Sequence, residues 1–271
     1  MLLKRKLFCE LSPLTYKISV LKGIWVRKLK WFINRKKYAW EFSTKPLNFA
    51  ICRHKSLIRR RLGNMDMTLQ ENKAVNLSIA APKVNGIIIR PGKIFSFWKL
   101  VGSCTAKKGY LDGLILRVGE LQSGIGGGMC QFTNLIHWMI LHSPLNIIEH
   151  HHHNNVDIFP DYGRQIPFGT GTSIMYNYLD YQFINKTDQT FQLLVMADDN
   201  YLIGELRSDR ELDVAYHIKE ENHHFSLENG KYYRNNEIYR EIISKKTGDI
   251  IDKQLLIKNH SRVLYDMANI V

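Results

Sequence analysis

The sequence GGGMCQFTNLIHWMIL, residues 126–141, decides the fold because it predicts a glycine-rich turn that leads directly into a helix. His142-Ser143-Pro144 ends the pattern, since proline cannot continue a helix. Apolar residues recur at the spacing of one buried helical face, at Phe132, Leu135, Ile136, Met139 and Ile140.

Another helix is predicted upstream of this stretch, with strands between the two. Thr68-x-x-Glu71 resembles a capping box, and Leu69, Val75, Ile79 and Ala80 then form a helical face that ends near Pro82. The runs GIIIRPGKIFSFWKL (86–100) and LILRVGELQ (114–122) combine β-branched and aromatic residues with Gly and Pro, which is typical of strands joined by turns.

Downstream of the central helix the pattern is β. Residues 172–208 alternate apolar and polar side chains on either side of the turn sequence 185–188, as two antiparallel strands and a further hairpin do. Residues 237–259 repeat this pattern around the turn sequence 246–249. The sequence therefore predicts an α+β protein in two parts. A basic, aromatic-rich helical segment (1–62) precedes a mixed domain (63–271) with a central helix that starts at the glycine-rich loop and a mainly antiparallel β C-terminal half.

The net charge of +13 comes from the N-terminal segment, where residues 1–62 hold 17 Lys and Arg against 2 Asp and Glu. Aromatic residues alternate with basic ones between 21 and 40. One interpretation is a helix that packs its aromatic face on the main domain. Another is an amphipathic helix on an anionic membrane surface. Nucleic acid is not expected as a partner, because no nucleic-acid-binding motif accompanies the charge.

Neither a secretory signal nor an apolar run of about 18 to 20 residues, the length that crosses a bilayer, is present. The four cysteines are scattered without pair spacing, so no disulfide framework or zinc cage is indicated. A reducing, cytoplasmic location is expected, with the basic segment peripheral on the inner membrane face.

Cys130 is the candidate nucleophile, because the predicted turn delivers it to the first turn of a helix. There the unpaired N–H groups and the helix dipole would lower the thiol pKa, and the amides of Cys130 and Gln131 would form part of an oxyanion hole. The loop Gly126, Gly127 and Gly128 would approach a ligand closely. Its spacing matches no nucleotide motif, and no cofactor is expected. The alternative is that Cys130 is a small buried residue.

A thiol nucleophile also needs a base. His137 lies about 10 Å along the helix axis from Cys130, which is too far. The run EHHHHNN (149–155) is the better source. If 147–156 is a strand, His151 and His153 share one face, while His150 and His152 share the other. Four adjacent histidines are more often a solvated or adventitious metal-binding stretch, so no metal site is expected.

Three further residues are candidates for ligand binding or support. Thr133 lies near enough to Cys130 to hydrogen-bond in the site, as does Asn134. Glu149 is a candidate ligand-binding residue, or else caps or pairs with a neighbour. Arg164, in the loop YGRQIPFGTG, has the side chain that clamps a carboxylate with two hydrogen bonds.

Six motifs together resemble the VanW family, and the resemblance spans roughly residues 47–195. They are RPGKIFSFWKLVG (90–102), KKGY (107–110), GIGGGMCQFTNLIHW (124–138), IIEHHHH (147–153), YGR (162–164) and YLDYQFINKTDQ (178–189). The resemblance implies an accessory part in glycopeptide resistance or cell-envelope processing. Many members also carry a membrane anchor and an outward-facing domain, which this sequence does not show.

The family's motifs fall on the candidate residues. Its G-G-G-x-C-Q falls on residues 126–128, Cys130 and Gln131, and its E-R-H-x-H falls on Glu149, His151 and His153, with His150 in place of the arginine. Its G-R-D falls on 163–165, where Gln165 replaces the acid. If that acid orients a catalytic histidine, Asp161 or Asp157 must replace it here.

Three functions follow. In the first, Cys130 and His153 or His151 perform acyl transfer or hydrolysis on peptidoglycan peptides or their precursors. In the second, a non-catalytic module binds a cell-wall precursor or a glycopeptide through the glycine loop and Arg164. In the third, the histidine run holds a metal.

Overall fold

The computed structural model describes residues 7–60, 66–117, 120–152, 156–160, 165–176 and 179–267. Within these ranges, no helix has the length and apolar character needed to cross a membrane. The described helices are α1 (Pro13–Ile33), α2 (Thr68–Ala80), α3 (Phe97–Val101) and α4 (Met129–Leu141), with short 3-10 turns at Phe8–Glu10, Arg35–Lys37, Ala81–Lys83 and Ala106–Lys108.

The described strands form four sheets. They are β1 (Glu41–Phe42), β2 (Phe49–Leu57), β3 (Ile87–Ile89), β4 (Ile94–Ser96), β5 (Asp112–Arg117), β6 (Glu120–Ile125), β7 (Asn146–Glu149), β8 (Val156–Asp157), β9 (Gln182–Ile184), β10 (Phe191–Ala197), β11 (Tyr201–Ser208), β12 (Val214–Glu228), β13 (Lys231–Ser244) and β14 (Ile250–Val263).

The five-stranded sheet carries the main core. Its order is β1-β3-β10-β11-β2, and every described pairing in it is antiparallel. Helix α4 packs on β11 and β2, and Gly204 on β11 leaves room for the side chains of Leu135 and Met139. All five apolar residues predicted to be buried on α4 are at most 1% exposed.

Two smaller sheets position the candidate site. The β5–β6 hairpin ends at the glycine loop before α4, and the order β4-β9-β7 brings Glu149, at the end of β7, opposite Gln182 on β9. Phe95 and Phe183 stack in the interior of this sheet, with ring centroids 4.7 Å apart.

The fourth sheet contains the long C-terminal strands in the order β12-β13-β14-β8, with β8 parallel to β14. A buried ion pair connects β8 and β13 within this sheet. Arg234 on β13 donates to the Asp157 carboxylate of β8 at 3.3 Å, and the Tyr265 hydroxyl donates to the same carboxylate at 2.8 Å. Both members of the pair are less than 5% exposed.

The structure confirms the mixed α+β class, the helices at α2 and α4, and the hairpins β10–β11 and β13–β14. Within the described range 179–267, the strand pair predicted around residues 185–188 does not form, because β9 pairs with β4 and β7 while β10 pairs with β3 and β11. Other details differ. The predicted capping box does not form, because Asp66 accepts the Thr68 N–H and Glu71 pairs with Arg59. Phe97–Val101, predicted within a strand run, is helical because Ser96 caps it by accepting the Lys99 N–H.

The buried face of α2 also differs from the prediction. Val75 is 41% exposed, and the buried residues include the polar Gln70 and Lys73 beside Ala74 and Leu77. Within the basic N-terminal segment, α1 is helical as expected, but 49–57 forms the edge strand β2. The division into two domains at residue 62 stays a prediction.

The buried pair makes a stability prediction. Arg234→Leu leaves the Asp157 charge buried without its ionic partner and should lower the free energy of unfolding by about 3 kcal/mol. Arg53→Leu is the matched control, because the Arg53 side chain is 64% exposed in its pair with Glu205, and it should cost less than about 1 kcal/mol. Urea denaturation followed by circular dichroism measures both. Equal losses would contradict the prediction.

Candidate functional site

Cys130 is the second residue of α4, as the sequence predicts. Gly128, with φ of 106°, precedes the helix in the left-handed region. Cys130 as a residue is half-buried. Burial of the thiol raises its pKa, and a hydrogen bond from the Ile174 N–H lowers the pKa by less. The net shift is upward, against the lowering expected from the helix N-terminus, because desolvation opposes the thiolate.

The three glycines before Cys130 are required for packing. A Cβ on Gly126 would overlap the Cys104 side chain, one on Gly127 the backbone of Gly113, and one on Gly128 the Lys73 side chain. The Asn76 side-chain amide also donates to the Gly127 carbonyl at 2.9 Å. The loop is therefore pressed between the β5–β6 hairpin and α2. Its predicted contact with a ligand stays untested, and a bulky substitution there would disturb packing first.

Gln131 and Thr133 both have partners within the protein. The Gln131 amide donates to the Ser56 hydroxyl at 2.8 Å and to the Leu57 carbonyl at 2.9 Å, which ties α4 to β2. The buried Thr133 hydroxyl bonds to that of Thr172. These contacts supply a structural role for each side chain, while the predicted roles in catalysis and ligand binding stay untested.

Residues 171–174 connect α4 to the histidine run. The Asn134 side-chain oxygen accepts the Thr172 N–H at 2.6 Å, and the Ser173 N–H donates to the His151 carbonyl at 2.6 Å. The Gly171 carbonyl accepts a hydrogen bond from His150 Nε2 at 3.1 Å. Residues 171–174 thus contact both α4 and the histidine run. In the described ranges no histidine ring is hydrogen-bonded to Cys130.

The histidines follow strand β7, which ends at Glu149 rather than continuing to 156 as the sequence prediction supposed. The His150 ring stacks on the His137 ring with centroids 4.2 Å apart. The His152 ring meets the His150 ring edge to face, also with centroids 4.2 Å apart. His151 turns the other way, with Nε2 at 3.4 Å from the Glu149 carboxylate. The alternation expected of a strand thus persists beyond its end.

The stacked imidazoles are neutral at neutral pH. Burial and the neighbouring rings lower the pKa of His150 to about 4 and hold the pKa of His137 well below its ordinary value. Partial desolvation of the His152 ring lowers its pKa as well, although the residue as a whole is exposed. His137 Nδ1 is 3.1 Å from the Tyr181 hydroxyl. Its buried Nε2 has no hydrogen-bond partner among the described residues.

Glu149 is the most connected carboxylate of the site. Arg27 of α1 donates two hydrogen bonds to it, at 2.7 and 2.6 Å, and the Asp180 N–H donates a third at 2.8 Å. Burial would raise the Glu149 pKa, but the hydrogen bonds from Arg27 and from the Asp180 amide outweigh it, so the pKa lies below its ordinary value. Glu149 is therefore ionised at neutral pH.

Asp180 is a buried acid that sequence reasoning missed. It accepts hydrogen bonds from the Ser96 hydroxyl, the Trp98 N–H and the Gln182 amide at 2.5 to 3.0 Å. Burial raises its pKa, and the nearby Glu149 charge adds to that rise. The available signal was a lone acid among the aromatic residues of YLDYQF. Arg27 was missed as a site residue because nothing local distinguishes it from the other basic residues of α1.

Several predicted site residues cannot be located. His153, Arg164 and Asp161 lie outside the described residues. Asp157, the other acid suggested for orienting a histidine, is instead engaged by Arg234 and Tyr265. In the parts of the chain that the structure describes, no group of three His, Cys, Asp or Glu side chains is placed to hold a metal ion.

Comparisons with known proteins agree with this set of motifs. A family model described as "VanW like protein" matches residues 72–207. The vancomycin B-type resistance protein VanW of Enterococcus faecalis (strain ATCC 700802 / V583) is 34% identical over 234 residues, which cover 86% of this chain and 85% of that protein. The uncharacterized protein YoaR of Bacillus subtilis (strain 168) is 27% identical over 122 residues, 44% of this chain and 37% of that protein. No solved structure matches significantly.

The Arg27–Glu149 pair makes a pH prediction. Glu149→Gln should lower the free energy of unfolding by about 2 kcal/mol at pH 7, because it leaves a guanidinium that is 14% exposed without its carboxylate. Since the folded pKa of Glu149 lies below the unfolded value of about 4.3, this stabilisation is present above that pH and is lost as the pH falls through the folded pKa.

Urea denaturation of both proteins between pH 7 and acid pH tests this expectation. Glu71→Gln is the control, because the Glu71 side chain is 54% exposed in its pair with Arg59, and it should change stability less. A Glu149→Gln protein as stable as the wild type at pH 7, or a difference that does not shrink in acid, would contradict the prediction.

Proposed function

This chain belongs to the VanW family, and from that membership we propose that it is an accessory protein of glycopeptide resistance or cell-envelope metabolism. Its role is to bind a peptidoglycan peptide or precursor without forming a covalent bond to Cys130. The Enterococcus faecalis relative, named a vancomycin B-type resistance protein, supplies the biological context. The protonation and reactivity of the Cys130 thiol distinguish a binding function from a catalytic one.

The observation that carries the binding proposal is that no described histidine is hydrogen-bonded to Cys130, whose pKa burial raises. The thiolate is the nucleophile, so a thiol that keeps its proton at neutral pH needs a base beside it. The described histidines have other contacts. His150 donates to the Gly171 carbonyl, His151 faces Glu149, and His137 is buried against Tyr181. This arrangement favours recognition over nucleophilic attack.

The side chains available for recognition lie beside Glu149. His152 is exposed, and the His151 side chain is 36% exposed. An imidazole offers a ring N–H donor, which suits the carbonyls and carboxylates of a stem peptide. Arg164 and His153 remain candidate contacts predicted from the sequence. The glycine loop contributes less, because Gly126 and Gly127 are buried.

The second candidate function is a cysteine-dependent acyl transfer or hydrolysis. It is favoured by the Ile174 N–H, whose hydrogen bond to the Cys130 sulfur stabilises a thiolate. In that reaction Cys130 would attack a peptide carbonyl while His153 or His151 accepts the thiol proton. The leaving amine would take that proton, and water or an acceptor amine would release the acyl group.

Alkylation of Cys130 by iodoacetamide across pH separates the two functions. In a variant with Cys9, Cys52 and Cys104 changed to serine, we expect an apparent pKa above the free-cysteine value of about 8.5, unchanged by His153→Ala or His151→Ala. A variant that keeps only Cys52 is the control, since burial raises that pKa to about 11. Fast reaction well below 8.5 that is lost with His153→Ala would support the enzyme instead.

Calorimetric titration with a soluble muramyl pentapeptide precursor, and separately with vancomycin, tests recognition. Cys130→Ala should bind as the wild type does, while the His151→Ala/His152→Ala double variant should lose about tenfold in affinity through lost hydrogen bonds. His217→Ala, at an exposed histidine on β12, is the matched control. Absence of binding by the wild type, or loss of binding in Cys130→Ala, would refute the binding module.

A further inference from the structure

Helix α1 carries a continuous apolar surface that points away from the protein. Its members recur every three or four residues, so they share one side of the helix. Each is between 46% and 70% exposed. We call this surface the outer stripe, and its residues are Leu14, Ile18, Leu21, Trp25, Leu29 and Phe32.

A different side of α1 holds the helix to the protein. Trp31 is buried, Val20 and Ile24 are half-buried, and Arg27 makes the paired hydrogen bonds to Glu149. These residues follow the same helical spacing as the outer stripe but lie roughly a third of a turn around the helix from it. Helix α1 therefore already packs one side against the protein, and the outer stripe is a second apolar side that faces outward.

Positive charge borders the outer stripe. Residues 11–40 contain eight Lys and Arg and no Asp or Glu. Lys17, Lys22 and Lys28 are exposed beside the stripe. The Lys28 ammonium lies 5.6 Å from the Trp25 ring centroid, and the Arg35 guanidinium lies 5.9 Å from that of Phe32. An apolar stripe flanked by cations is the composition of a helix that lies in an anionic membrane interface.

We propose that the outer stripe of α1 docks on an anionic lipid bilayer, with its apolar side chains among the acyl chains and its lysines against the headgroups. The bilayer satisfies both features together, since it removes the exposed aromatic and aliphatic groups from water and neutralises the charge beside them. Trp25 and Phe32 are suited to the boundary between headgroups and acyl chains.

Charge argues against the other occupants. A second copy of the chain would bring two cationic rims together, and like charges oppose such an interface. A nucleic acid would match the charge but would leave Leu14, Ile18 and Leu21 without an apolar partner. The same helix lacks the length of apolar sequence that spanning a membrane requires, so it lies along the surface.

Docking in this orientation brings the candidate site close to the membrane. Arg27 of α1 binds Glu149 directly through its two hydrogen bonds. The candidate site therefore lies beside the helix that docks, and a helix with its side chains is about 10 to 12 Å across. This proximity suits a ligand presented at the membrane.

Vesicle co-sedimentation of the full chain tests the proposal. We expect binding to phosphatidylcholine vesicles that contain phosphatidylglycerol, weak binding to phosphatidylcholine alone, and weakening with added salt. Trp25→Ser/Phe32→Ser should lower partitioning at least about tenfold. The control is Ile251→Ser/Leu255→Ser, which removes apolar groups of similar exposure from β14 and should leave partitioning unchanged. Lys17→Gln/Lys22→Gln/Lys28→Gln should remove the preference for phosphatidylglycerol.

Circular dichroism of each variant confirms that it remains folded. Equal partitioning of the wild type and Trp25→Ser/Phe32→Ser overturns the proposal, as does binding without preference for anionic lipid. A lipid-independent dimer that the same double variant dissociates would identify a second copy as the occupant. RNA or duplex DNA that displaces vesicles and binds equally well to the double variant would identify nucleic acid.

Discussion

Glu149 and Asp180 lie next to one another, and Arg27 is the charge that allows Glu149 to stay ionised there. Burial raises the pKa of Asp180, and the Glu149 charge raises it further. Arg27 offsets this repulsion with two hydrogen bonds to Glu149. Glu149 ends β7 and Asp180 precedes β9, so this one ion pair connects α1 to β7 and, through the Asp180 amide and carboxylate, to β9 and the start of α3.

The candidate site is organised by packing and neutral hydrogen bonds around this charged centre. The imidazoles of His137 and His150 stack and the His152 ring meets His150 edge to face, and all three have lowered pKa values. Residues 171–173 connect the histidine run to α4 through hydrogen bonds to both. Such a site can recognise a polar ligand with prearranged donors and acceptors at little entropic cost. It lacks, among the described residues, the direct base-to-thiol contact that covalent chemistry requires.

The sequence predicted α4 and the C-terminal hairpins because their apolar residues follow the period of the structure they form. It failed where burial involves polar residues. Lys73 and Gln70 pack inward on α2 and hide its true face, while β2 is an edge strand inside a strongly basic segment. The Arg27–Glu149 pair joins residues 122 apart, and no local pattern encodes a contact at that separation. The sequence of the glycine loop does not show whether its glycines allow a ligand to approach or are required because a side chain would not fit.

The glycine loop before Cys130 contains a close contact between two main-chain segments. Gly113 on β5 and Gly127 before α4 meet backbone to backbone, with no side chain between them. The spacing there is set by van der Waals contact between the two main-chain segments and includes no side chain whose size could change, whereas contacts in ordinary cores shift as side chains change in size. This contact therefore constrains the start of α4 more tightly during evolution than side-chain packing does, and loss of Gly127 would disturb it in a single step.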